Sequence, residues 1–110
     1  MSKILAGKIL NFVYNNKFEN NKIPSVNEIF IDSSLKPHQL EMALNYCMDK
    51  NYLKISKKFG VDKNGIRNMD ILGITSEGID LVEDKEKFQR SFGIGANLGI
   101  VNFNWSTQER

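Results

Sequence analysis

The stretch NYLKISKKFGVDKNGIRNMDILGIT, residues 51–75, decides how this chain folds. From Tyr52 the side chains alternate. Leu53, Ile55, Lys57 and Phe59 fall on one face, and Lys54, Ser56 and Lys58 on the other. That period of two belongs to a half-buried strand. Gly60 ends the run, Asp62-Lys63-Asn64-Gly65 turns the chain, and Ile66 to Ile74 returns as the partner strand. Asn64-Gly65 is a strong hairpin signal because both residues accept positive φ. The loop is longer than two residues, so its detailed geometry stays open.

On either side of the hairpin the period is helical. Residues 3–17 place Leu5, Ile9, Phe12 and Val13 on one face, with Lys3, Lys8, Asn11 and Asn15 largely elsewhere. A polar run over 15–22 breaks that pattern. Ser25 followed three residues later by Glu28 is a capping-box signature for a short second helix, to Phe30 or Ile31. A third helix is predicted from Pro37, tolerated in a first turn, to about Lys50, with Leu40, Ala43, Leu44, Cys47 and Met48 buried. After the hairpin, Thr75 caps a fourth helix, SEGIDLVEDKEKFQR, whose acidic first turns suit the helix dipole. Within it Gly78, lacking a Cβ, permits close approach to the hairpin or the first helix. Three helices, a β-hairpin wing and a fourth helix make an α+β winged helix-turn-helix. The expected division is 1–90 for this domain and 91–110 for an apolar, Gly-rich tail.

At 110 residues, with 41% hydrophobic and 25% charged residues, the chain is one soluble-type domain with a single modest core. Lys8 interrupts the first apolar run, and no run approaches the ~18 residues that span a bilayer. The lone Cys47 excludes an internal disulfide and a cysteine-based zinc site, and fits a reducing compartment. A cytoplasmic protein with no membrane partner is expected. Net charge is only +2, but it is unevenly spread. Residues 36–68 hold seven Lys and Arg against three Asp and Glu, whereas residues 69–90 hold three against six. The positive field therefore gathers on the third helix and the hairpin.

Three passages carry a resemblance: the helix-to-strand join MDKNYLKI, the hairpin return, and ILGITSEGIDLVEDK. In winged-helix proteins of Gram-positive bacteria and their phages a helix commonly ends in a G-Y-I/L step into the first wing strand. The second strand then runs into an L-T-x-x-G helix. Lys50-Asn51-Tyr52-Leu53 and Ile74-Thr75-Ser76-Glu77-Gly78 stand at those places, with Asn51 where glycine is usual. Over roughly residues 3–87 the chain resembles the small YjcQ-like winged-helix proteins, and more distantly the MarR- and PadR-type regulators. The resemblance implies a winged-helix fold and DNA binding.

A helix in the major groove reads base edges while a basic wing holds phosphates. The expected DNA contacts are Lys36, His38, Gln39, Asn45 and Tyr46 from the third helix. Lys54, Lys57, Lys58, Lys63, Asn64 and Arg67 are expected from the wing. Gln39 and Asn45 suit adenine. Against this, Glu41 and Asp49 would face the polyanion, and wing lysines also guard exposed strand edges. Met42 with Tyr46, and Phe92, Ile94, Leu98, Val101, Phe103 and Trp105 of the tail, form a candidate partner or dimer surface. The tail is read as an extended arm or a small hairpin, packed in cis or in trans. A DNA-binding transcriptional regulator acting as a homodimer leads. The alternative is a winged-helix protein-interaction module, for instance a phage-encoded factor that binds a host protein. Enzymatic readings are poor and no metal or cofactor is expected. His38, the sole histidine, has no ligand partner at helical spacing, Cys47 lies on the buried stripe, and Glu83, Asp84 and Glu86 form a solvated face.

Overall fold

The computed structural model describes residues 3–96 and Trp105. Its elements are α1 (Lys3–Asn20), α2 (Val26–Ser33), α3 (Pro37–Asp49), β1 (Leu53–Val61), β2 (Arg67–Ile74), α4 (Ser76–Glu83) and α5 (Lys85–Phe92). β1 and β2 pair antiparallel as an isolated hairpin. Helix, helix, helix, hairpin, helix is the winged helix-turn-helix that the residue pattern predicts.

α1 is the hub, touching α3, α4, α5 and β2. It is buried around most of its circumference, so Asn11 and Asn15 are only 3% and 2% exposed. The sequence pattern placed both asparagines off the core face. Neighbours on nearly every side leave no solvent face for them, and neither lacks a partner within the fold. Phe88, Leu40, Leu44, Ile29 and Val82 close the core around α1, fully buried. Each large apolar side chain of this kind contributes about 1.5–3 kcal/mol relative to exposure.

The capping box at α2 forms as the sequence predicts. The Glu28 amide donates to Ser25 Oγ at 3.0 Å, and the Ser25 amide donates to Glu28 Oε1 at 2.8 Å. α2 ends on Ser34 in the left-handed region, and α3 opens with Pro37 at its first turn.

α3 ends where the resemblance places its helix-to-strand step. Asn51 has φ +62°, its amide donates to the Met48 carbonyl at 3.0 Å, and the Tyr52 amide reaches the Cys47 carbonyl at 2.8 Å. This is a Schellman-type termination that glycine or asparagine supplies most easily. Asn51→Ala is expected to destabilise the fold by about 1–2 kcal/mol, whereas Asn51→Gly should lie much closer to wild type. Paired urea denaturation curves check this, and equal midpoints for the two variants would refute it.

The same corner receives β2. The Thr75 amide donates to the Tyr52 carbonyl at 3.0 Å, and Thr75 Oγ1 lies 2.7 Å from the Asn51 carbonyl. Thr75 Oγ1 also accepts from the Gly78 amide at 3.0 Å, which caps α4. A Cβ on Gly78 would collide with the Tyr52 carbonyl oxygen and lie 2.9 Å from Ile74 Cγ1. The close approach anticipated for Gly78 is therefore to the root of the hairpin.

The fourth helix is not continuous. Asp84 leaves helical geometry, ending α4, and its Oδ1 accepts from the Lys87 amide at 3.1 Å to start α5. A short acidic side chain that competes for backbone amides explains the break. The bend returns Phe88 and Phe92 to α1, with their rings 4.8 Å apart. Beyond α5, Ile94 is buried and Trp105 packs on Phe12 at 5.1 Å. The Trp105 indole N–H donates to Asp32 Oδ2 at 2.7 Å, so at these positions the tail packs in cis. Leu98, Val101 and Phe103 lie outside the described residues.

Candidate nucleic-acid interface

The hairpin is built around two irregularities. Between Lys54↔Gly73 and Ile55↔Ile71, β1 advances one residue while β2 advances two, so Leu72 is the extra residue. Between Lys57↔Met69 and Val61↔Arg67, β1 advances four residues while β2 advances two. The excess falls at Lys58-Phe59-Gly60, where Gly60 adopts φ +90° and Asn68 Nδ2 donates to the Phe59 carbonyl at 3.0 Å. Bulges of this kind re-aim side chains. Leu72 and Phe59, apolar in sequence, both point into solvent. Phe59 was expected on the half-buried face beside Ile55; the register shift expels it, and its relative exposure is 102%.

The turn of the wing is docked. Asp62 Oδ1 accepts from the amides of Asn64 and Ile66 at 2.8 and 3.0 Å, and Ile66 is fully buried. Asn64 Nδ2 donates to Asn27 Oδ1 at 3.1 Å, tying the turn to the start of α2.

Between α3 and the hairpin runs a cleft of about 280 Å³ lined by Glu41, Asn45, Lys57, Arg67 and Met69. Glu41 Oε2 accepts from the Arg67 backbone amide at 3.0 Å. That acid is therefore engaged by the wing and not simply presented outward. Asn45 Oδ1 is buried and has no hydrogen-bond partner among the described residues. A buried carbonyl left in that state favours any donor that enters the cleft.

The remaining predicted contacts scatter around this cleft. Lys36 and His38 are exposed at the start of α3, and Gln39 Oε1 is occupied by the Lys36 amide at 3.1 Å. Tyr46 and Met42 are half-buried on the outer side of α3, with Lys50 Nζ 5.8 Å from the Tyr46 ring centroid. Lys54 and Lys58 lie on the hairpin face turned away from the cleft. Lys58 pairs with Asp70 at 2.8 Å, and this hydrogen bond raises the Lys58 pKa. Lys57 and Arg67 meet at the cleft, and Lys63 is exposed on the turn. No ion pair holds Lys54, Lys57, Lys63 or Arg67 among the described residues. Of the candidate partner residues, Phe92 and Ile94 are already covered by the domain itself, and Trp105 partly so.

Cys47 is buried, its thiol 3.5 Å from the Ala6 carbonyl and its pKa pushed up to about 12 by burial. It is a core residue and a poor nucleophile. Among the described residues no helix is long and apolar enough to cross a membrane.

What the fold and the cleft define together is a small α+β winged helix-turn-helix domain. No family model, no curated protein and no solved structure matches the chain.

Proposed function

We propose that this winged-helix domain binds double-stranded DNA as a transcriptional regulator. One observation carries the reading. Lys57, Lys63 and Arg67, on the cleft side and turn of the hairpin, have no ion-pair partner among the described residues, and Glu41, the acid that lines the cleft, accepts from the Arg67 backbone amide. Cations free of internal partners are the ones that release counterions when they meet phosphates. His38 and the Gln39 side-chain amide, both exposed on α3, supply polar groups for base edges beside them.

On this reading the chain belongs with the YjcQ-like proteins that its motifs resemble. It acts in the cytoplasm, without cofactor or catalysis, as a homodimer that sets two wings at half-site spacing. The competing class is a protein-interaction module, favoured by the exposed Ile31 and Leu72. The deciding experiment is fluorescence anisotropy with a labelled duplex, titrated from about 50 to about 300 mM salt. About four phosphate contacts predict a log–log slope near −3.6. Binding that ignores salt, or no binding to any duplex, rejects the DNA reading.

A further inference from the structure

The Phe59 ring is fully solvent-exposed, more so than any other large apolar side chain among the described residues. Its exposure is built. Two extra residues in β1, a left-handed Gly60 and the Asn68 clamp on the Phe59 carbonyl hold this backbone out of the regular ladder. Val61, close by, is also exposed. An apolar projection on the edge of a hairpin invites a partner.

The charges around it specify which kind. Lys57 and Lys58 precede Phe59, Arg67 pairs across from Val61, and Lys63 follows on the turn. Of these four cations, Lys58 alone is in an ion pair among the described residues, with Asp70. A ring framed by free cations complements a polyanion that also offers apolar stacking surface. Duplex DNA does so where a base step opens toward the minor groove. That groove is about 6 Å wide, room for a single projecting side chain but not for a helix.

We infer that Phe59 is an apolar wedge that enters the minor groove at a flexible pyrimidine–purine step and bends the duplex. The inference rests on the DNA-binding reading above and adds a mode of recognition to it. The cations hold the phosphates on either side, and the ring partly unstacks one step. TA and CA/TG steps open most easily, so the wedge confers a sequence preference without reading any base edge.

The test uses the full chain and a duplex with a central TA step, carrying donor and acceptor dyes at its ends. Binding should raise energy transfer, reporting a bend of at least about 20°. Phe59→Ala should abolish the bend and weaken binding about ten- to a hundredfold, with the salt slope unchanged. Phe59→Leu, a smaller wedge, should retain part of both effects. The side chain touches no core, so circular dichroism melts of all three proteins should coincide. Wild-type binding without bending overturns the wedge and leaves DNA binding standing, as does a Phe59→Ala protein that bends and binds like wild type. Failure of the wild type to bind any duplex overturns both readings and leaves the exposed ring to a protein partner.

Discussion

Replacing Lys57, Lys63 and Arg67 together by alanine is expected to weaken duplex binding by roughly three orders of magnitude at about 0.1 M salt. Each phosphate contact contributes about 0.9 to the log–log salt slope, and so close to a factor of ten at that concentration. The slope itself should fall by about 2.7. All three side chains are exposed and none is in an ion pair among the described residues, so the fold should survive their loss. Lys54→Ala is the matched control, because Lys54 is equally exposed but faces away from the cleft. A distributed charge effect would make Lys54 count as much as each of the others. A defined interface makes it count for little. Equal losses from Lys54 and from Lys57, measured by anisotropy, would move the binding surface off the cleft side of the wing.

Gly78→Val is expected to be the most damaging single substitution for stability. Its side chain would drive into the Tyr52 carbonyl, which is backbone and cannot rotate away. The Tyr52 carbonyl is also the acceptor of the Thr75 amide, so relief of the clash strains the bond that roots β2 and the cap of α4. Overpacking of this kind costs about 3 kcal/mol. That is a large share of the ~5–15 kcal/mol by which a domain is stable. The urea midpoint should fall by about 1–3 M. Gly73→Ala provides the contrast, because nothing lies within 4 Å of a Cβ there. If both variants unfold at the wild-type midpoint, Gly78 has no packing role.

Legibility in the sequence followed the range of the interactions. The capping box at Ser25 and Glu28, the left-handed Asn51 and the Thr75 cap depend on residues a few positions apart, and each appears where its local chemistry puts it. The hairpin was readable for the same reason, since alternation and Asn64-Gly65 are local signals. What escaped depends on partners distant in the chain. Asn11 and Asn15 look solvent-facing until α3, α4, α5 and β2 close around α1. Phe59 looks half-buried until the register with β2 shifts by two residues. Glu41 looks like an acid presented to DNA until the Arg67 amide, 26 residues further on, occupies it. The break at Asp84 had a signal, since aspartate is a favoured N-cap residue, but the continuing apolar spacing of Phe88 and Phe92 masked it.

The central position of α1 carries a consequence for how the molecule comes into being. It is synthesised ahead of every described element that covers it, and Trp105, which packs against its Phe12, is made more than ninety residues later. A nascent α1 therefore keeps part of its apolar surface open to water and to other chains until the later elements are made. Its contacts span long sequence separations, which slows closure. Until the last partner arrives, this helix is the segment through which newly made copies would aggregate, and the one that a chaperone would grasp first.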